Sequence, residues 1–232
     1  MTTTDPCTDP SARSTEVEAP SLVGPRYTLR AITPEFHRPL YELTMSRAVN
    51  FRWRYHGAIP PYEVFERALH TNVLAQFVVV LTRSPKTVIG QVAAYDGNLQ
   101  DGTAWLAVAA DPRAGAGVLE AAMLFIRYLF AHYPLRKLYV DTPSFNLPQF
   151  ASAAAEGLLV EEGRLRDHQY FDNRYWDRII YALYQDKARS FWERFMHAFP
   201  SVPASVTGNE DPEATLGDLR TADPGAATGA LL

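Results

Sequence analysis

The passage from Thr103 to Thr142 constrains the fold most. Thr103–Ala109 is a run of small, β-branched and aromatic residues that reads as a strand. After Asp111-Pro112 and a glycine-containing loop, Leu119, Ala122, Met123, Ile126, Leu129, Phe130 and Tyr133 recur at three- and four-residue spacing, the signature of one apolar helix face. Leu138, Val140 and Thr142 then alternate as a further strand. A strand–helix–strand passage of this length brings the chain back in the same direction. The strands around residues 105 and 139 are therefore expected to run parallel, with the helix packed on their sheet.

The segments on either side complete the sheet. Tyr27 to Ile32 alternates as a first strand, and Thr33-Pro34-Glu35 offers a cap and a proline at the first helical position for a helix from Pro34 to about Arg47. Pro60-Pro61 opens a second helix, to about Asn72, that turns Phe65 and Leu69 inward. Gln76–Leu81, Val88–Tyr95 and Thr103–Ala109 are separated by the turn signals Ser84-Pro85 and Asp96-Gly97-Asn98 and read as an antiparallel meander. Further on, Asn146 is expected to cap a helix from Leu147 to Glu156 that Gly157 ends, and Leu158–Val160 and Trp176–Tyr184 supply two last strands. The expected fold is α/β (α+β): a mixed, mostly antiparallel seven-stranded sheet over residues 26–184 with helices on both faces. A last helix, 185–200, carries Phe191, Trp192, Phe195, Met196 and Phe199 on one flank, which either docks on the domain or meets a second copy in a homodimer.

Composition limits what such a domain could do. With 47% hydrophobic and 21% charged residues the chain can bury one sizeable core. Its longest apolar stretches fall short of the roughly 20 residues that cross a bilayer. Residues 1–25 carry four acids and one base, and residues 200–232 five acids and one base, so a chain of net charge −4 has a middle of about +3. Both ends are poor in large apolar residues and are expected to be disordered. The middle has no clustered Lys/Arg stripe, which argues against a nucleic-acid surface. No basic-then-apolar leader is present in 1–25, so a cytoplasmic location is expected. The single cysteine, Cys7, gives neither a disulfide within the chain nor metal-ligand spacing.

Three stretches carry a resemblance. Asp111-Pro112-Arg113-Ala114-Gly115-Ala116-Gly117-Val118 enters the central helix, Glu120-Ala121 follows, and Phe130 stands ten residues after Glu120. Lys137 to Asn146 is a strand with an exit asparagine, and Gly157 lies eleven residues beyond it. Glu162-Gly163-Arg164-Leu165-Arg166 precedes Asp172-Asn173-Arg174-Tyr175-Trp176-Asp177. In this order they resemble the GNAT superfamily of N-acetyltransferases, particularly its RimL- and RimJ-like branch. The likeness spans residues 26–184. It can be set in two registers at the loop. Arg113 takes the family's arginine with Ala116 and Val118 in its glycine positions, or Gly115 and Gly117 take those positions with Pro112 first.

The resemblance implies acetyl-CoA or another acyl-CoA as cofactor. Backbone N–H groups at Arg113, Ala114, Gly115, Ala116, Gly117 and Val118, at a helix N-terminus, would cradle its diphosphate without a metal. Val108 and Ala109, where the parallel strands splay, and Asn146 would complete the cofactor site. The family's frequent tyrosine acid falls on Ala153. Ser152 beside it takes the place of a thiol-bonding serine found in some RimL-like members, or is a small packing residue. Glu162 and His168, with Glu161 and Asp167, are candidate bases, each with solvation as its bland alternative. Phe51, Arg52, Trp53 and Tyr55, in the loop between the first two helices, with Tyr170, are candidate acceptor contacts. The expected reaction is direct transfer of an acetyl or short acyl group to a primary amine of a small molecule or a protein N-terminus. The alternatives are a GNAT-shaped binding or regulatory domain without catalysis, or an acyltransferase fed by an acyl carrier protein.

Overall fold

A computed structural model describes residues 21–198 apart from 53, 54 and 56. Residues 1–20, with Cys7, and residues 199–232 lie outside it, so the expectation of disordered ends falls mostly on residues it does not describe. The described chain forms an eight-stranded sheet of β1 (Ser21–Val23), β2 (Tyr27–Arg30), β3 (Val73–Leu81), β4 (Ser84–Asn98), β5 (Thr103–Ala110), β6 (Lys137–Pro143), β7 (Val160–Phe171) and β8 (Arg174–Tyr184). The spatial order is β1-β2-β3-β4-β5-β6-β8-β7. Of the neighbouring pairs, β5 and β6 run parallel and the others antiparallel. The helices are α1 (Pro34–Met45), α2 (Tyr62–Ala68), α3 (Val118–His132), α4 (Ala151–Ala155) and α5 (Gln185–Ala198).

Strand β3 is buried on both faces and therefore reads as a continuous apolar run. Val78 and Val80 meet Phe36 and Leu40 of α1, Phe65 of α2 and nearby Leu69 on one face. Phe77, Val79 and Leu81 face the larger core under α3, with Phe125, Ile126 and Leu129. Phe125 and Leu129 are fully buried, and each such side chain contributes roughly 1.5–3 kcal/mol of hydrophobic stabilisation. From α5, Ala188 and Phe191 enter the same core and Trp192 packs on it, with Arg127 of α3 over the indole at 5.3 Å. The described part of that flank thus docks on the domain.

Four expectations change. The sheet has eight strands, because Ser21–Val23 pairs with β2, and Leu22 packs on the core between exposed Ser21 and Val23. Ser21–Val23, placed within the leader by the sequence reading, is thus strand β1. Strand β7 runs on to Phe171, far beyond the expected Leu158–Val160, and β8 starts two residues earlier than expected, so that the two form a hairpin closed by Asp172 and Asn173, whose φ angles of 53° and 60° suit a tight two-residue turn. The helix expected over 147–156 is interrupted: Pro148 lies in a 3-10 turn, Ser144–Gln149, and α4 starts only at Ala151. Asn146 sits inside that turn and caps no helix. Gly157, at φ 70°, ends the segment as expected.

Candidate active site at the fork of the sheet

The parallel strands stay together for three residue pairs, from Thr103↔Lys137 to Trp105↔Tyr139. Beyond them, Leu106–Ala110 pairs with β4, and Val140–Pro143 pairs with β8. The sheet forks there. Asp111 N–H donates to the Ile89 carbonyl at 2.8 Å, in register with the ladder that pairs Gln91 with Ala109. Alternation along an antiparallel ladder then aims the main-chain groups of Ala107 and Ala109 at β4, and those of Leu106, Val108 and Ala110 into the fork. Of the two expected backbone donors, Val108 faces the opening. Ala109 faces the ladder, its side chain buried with Val49.

Asn146 lies at the exit of β6, 7% exposed. Its Nδ2 donates to Thr142 Oγ1 at 3.1 Å, while its Oδ1 is buried with no hydrogen-bond partner among the described residues. A buried carbonyl left unpaired costs about 1–3 kcal/mol, which an amide N–H entering the fork would relieve. Leu106 and Val140, on the two prongs, line a narrow apolar pocket with Met123 of α3 and Ala153 of α4. The position where the resemblance implies a tyrosine thus faces this pocket with a methyl group. Ser152 is in α4 beside it, and its side chain lies outside the description.

The expected diphosphate loop is a 3-10 turn, Pro112–Gly117, that runs straight into α3. Its first donors are engaged within the turn. Arg113 N–H donates to Asp111 Oδ1 at 2.8 Å, Ala114 N–H to the Asp111 carbonyl at 2.9 Å, and the Arg113 guanidinium to the same carboxylate at 2.7–3.1 Å. Burial would raise the Asp111 carboxyl, but the hydrogen bonds from Arg113 outweigh it and hold it below the usual carboxylate range. Val118 is buried in the core, so its side chain does not crowd the mouth of the turn. Gly117 has a packing reason as well. A Cβ there would lie 2.4 Å from Tyr27 Oη. Gly115 and Ala116 lie in the turn by their backbone, and their side-chain surroundings are not described.

The face of the fork away from α3 carries the other charged groups. Since Leu138 and Val140 face α3, Lys137, Tyr139 and Asp141 face the opposite side, and their register partners Tyr184, Ala182 and Ile180 share it, as does Arg178 across from Pro143. Trp105 and Tyr139 pack there at 5.2 Å, where the prongs meet. Arg178 donates from its guanidinium to Asp141 Oδ2. At the closed end, Lys137 Nζ is 2.6 Å from Glu162 Oε2, and the Tyr184 hydroxyl donates to Glu162 Oε1.

Several expected site residues fall elsewhere. Glu162 is not poised as a base: hydrogen bonds from Lys137 and then Tyr184 hold its carboxyl below the usual range, and Lys137 pairs with Thr103 at the end remote from the opening. His168 is exposed in the irregular stretch of β7 between Leu165 and Gln169 and has no hydrogen-bond partner among the described residues to orient its ring. Tyr170 is 57% exposed, edge-on to Tyr175 at 5.1 Å. Its neighbours on the strand meet the loop between α1 and α2 instead: Gln169 Nε2 donates to the Phe51 carbonyl at 3.1 Å, and Phe171 packs on the Phe51 ring at 4.5 Å. With Val49 on Ala93 and Ala109, that loop joins both sides of the fork. Tyr55 packs against Phe65, Trp53 lies outside the described residues, and of Arg52 only the backbone is described. Sequence reading missed Trp105, Tyr139, Asp141 and Arg178. The alternation that turned Leu138 and Val140 inward already placed Tyr139 and Asp141 on the other face.

A mostly antiparallel sheet that forks between its two parallel strands, with a helix entering from a tight turn at the fork, is the GNAT acetyltransferase architecture. No family model and no curated protein matches the chain. Solved structures do. The spermidine N-acetyltransferase of Vibrio cholerae, in complex with CoA and spermine, is similar with a TM-score of 0.60 at 23% identity, over 70% of this chain and 98% of its own. A chimera of that enzyme with hSSAT gives 0.55 at 26%, over 71% and 98%. A GNAT-family acetyltransferase from Bacillus anthracis gives 0.57 at 18%, over 72% and 99%. The chain has the GNAT fold.

Proposed function

We propose that the protein is an N-acyltransferase that moves an acetyl or short acyl group from acyl-CoA to a primary amine, on a small molecule or a protein N-terminus, by direct attack in a ternary complex. The observation that carries this reading is the fork itself, with Val108 N–H aimed into it and the unpaired Asn146 Oδ1 beside it. Acyl-CoA would supply the thioester carbonyl. Asn146 would accept an amide N–H of its pantetheine arm, Val108 would donate to the carbonyl oxygen as negative charge develops there, and residues 113–118 would lie by the diphosphate. One preorganised donor of this kind is worth about 2.7–4 kcal/mol of barrier. The Vibrio cholerae neighbour, seen with CoA and an amine, supports the same pairing of partners.

Asp111 favours a second reading. Its carboxylate occupies the first N–H of the turn and places negative charge where a diphosphate would approach. A donor held on a carrier-protein phosphopantetheine would depend less on that grip. Calorimetric titration with acetyl-CoA and with acetyl-pantetheine, which lacks the diphosphate, followed by thiol release over a panel of amines, tests both. Tighter binding of acetyl-CoA with amine-dependent release sustains the first reading, and equal affinity for the two thioesters sustains the second. Binding of neither ends both.

A further inference from the structure

We infer that Asp141 is an ammonium-binding residue at the mouth of the fork, and that the amine it takes is carried on an apolar or aromatic body rather than on a polycation. The inference rests on the transferase reading only for the statement that the bound amine is the acyl acceptor.

Asp141 lies two residues beyond Tyr139, where β5 and β6 part, on the face away from α3. Its side chain is largely buried. Both contacts from Arg178, through Nε and through a terminal nitrogen, go to Oδ2. Oδ1 has no partner among the described residues. Arg178 therefore fixes the carboxylate in one orientation, while a second oxygen with free lone pairs is left for a donor. On β5, the residues past the fork on this face are Ala107 and Ala109, small side chains over which Leu43 of α1 and Val49 and Tyr55 of the following loop pack. An ammonium at Oδ1 would stand beside the prong that carries Val108.

The body of the ligand follows from what adjoins Asp141 on the same face. Trp105 and Tyr139, tilted 33° to each other, are both half-buried next to the carboxylate; Lys137 Nζ already stands over the Tyr139 ring at 4.6 Å, so the π surface left for a ligand is mainly that of Trp105. The described charges that β6 and β8 place on this face, with Glu162 beside them, are Lys137, Arg174 and Arg178 against Asp141 and Glu162, which leaves no negative excess. Lys137 is engaged by Glu162 and stands over the Tyr139 and Tyr184 rings. A floor without net negative charge has no second seat for the further ammonium groups of a polyamine, the substrate type of the Vibrio cholerae neighbour.

The test uses benzylamine as probe, with benzyl alcohol as its uncharged analogue and spermidine as the polycation, titrated calorimetrically into the full-length protein and into Asp141→Asn, Asp141→Glu and Glu193→Gln. Glu193 is exposed on α5, which docks on the α3 side of the sheet, so Glu193→Gln changes net charge equally on the opposite face. Thermal unfolding confirms that each variant is folded. The expected result is benzylamine binding at least tenfold tighter than benzyl alcohol, lost about tenfold or more in Asp141→Asn, partly restored in Asp141→Glu and unchanged in Glu193→Gln, with spermidine binding no tighter than benzylamine. Wild-type protein that ignores benzylamine, Asp141→Asn that binds it unchanged, or a tenfold preference for spermidine overturns the inference. Acetyl-CoA is titrated into the same proteins: if benzylamine binds through Asp141 and acetyl-CoA does not bind at all, the transferase reading fails and the ammonium site stands.

Discussion

Glu120 and Arg26 join the first turn of α3 to the start of β2. The Glu120 carboxylate, 3% exposed as a residue, accepts hydrogen bonds from Arg26 N–H at 2.9 Å, Tyr27 N–H at 3.1 Å and Arg26 Nε at 3.0 Å. Near the positive end of the α3 dipole a carboxylate is favoured, and here it satisfies two main-chain donors as well. Glu120→Ala would strand both main-chain donors, so a loss of about 2–5 kcal/mol in urea unfolding is expected. Arg26→Ala leaves the two N–H bonds in place and should cost clearly less. Equal losses would show that the side-chain pair, not the main-chain bonds, makes the joint.

Tyr27 Oη is buried against Gly117 with no hydrogen-bond partner among the described residues, and burial pushes its hydroxyl pKa up. Tyr27→Phe removes an unsatisfied group without changing the packing, and a gain of about 1 kcal/mol is expected. Gly117→Ala drives a methyl group into the ring and should destabilise. The ring carbons Cε2 and Cζ lie 2.9 and 3.0 Å from that Cβ, so Tyr27→Phe should rescue Gly117→Ala only in part. Thermal unfolding of the two single variants and the double variant checks all three outcomes.

These contacts mark where the sequence was legible. Helix α3 could be read because one whole face is buried and its apolar residues keep helical spacing. The parallel pair followed from it, while the fork, Val108 and Asn146 came with the resemblance to the GNAT superfamily. Strand β7 could not be read past its first residue. It is an edge strand with most side chains in solvent, so Val160–Phe171 shows no alternation. With its true length unseen, Tyr170 and Gln169 could not be assigned to opposite faces. Glu162 looked like a free carboxylate because its partner, Lys137, is 25 residues away in sequence. Asp141 was hidden for another reason: attention to the inward residues of an alternating strand passes over the outward ones.

The Lys137–Glu162 pair predicts a pH dependence. Glu162 is held below its ordinary value by the hydrogen bonds from Lys137 and Tyr184, so its contribution to stability is full above the unfolded glutamate value of about 4.3 and is lost as pH falls through the lower folded value. Burial would lower the Lys137 ammonium, but its bond to Glu162 outweighs this and raises it. Its contribution is full below the unfolded lysine value of about 10.4 and is lost as pH rises through the higher folded one. The stability gap between wild type and Glu162→Gln should therefore be flat between about pH 5 and 10 and shrink below about pH 4. Urea midpoints across that range measure it, and a gap that persists undiminished at the lowest pH would refute the pairing.

Asp111 and Arg113 bear on the diphosphate. Asp111→Asn removes a negative charge from the mouth of the turn, so acetyl-CoA affinity should rise several-fold. Arg113→Ala should lower it. Both effects are electrostatic at an exposed site and should fade as salt is raised toward about 1 M, where the Debye length falls to about 3 Å. Affinities that ignore both substitutions would place the diphosphate away from this turn.

Phe51 and Phe171 hold the loop between α1 and α2 against the β7–β8 hairpin, and Phe171 in turn packs on Phe145 at 4.9 Å, beside the β6 exit that carries Asn146. An aromatic pair of this kind is worth about 0.5–1.5 kcal/mol beyond its buried area. Because the two rings meet each other, Phe51→Ala and Phe171→Ala should not add: the double variant should lose less than the sum, by about the value of the contact. Phe51 lies on the side of the fork away from α3, so its removal should raise the KM for the amine while leaving acetyl-CoA affinity intact. Phe171 also touches Phe145, and its removal should disturb both sites. If the two single variants gave the same kinetic pattern, the loop would be serving the stability of the domain as a whole rather than the acceptor side of the fork.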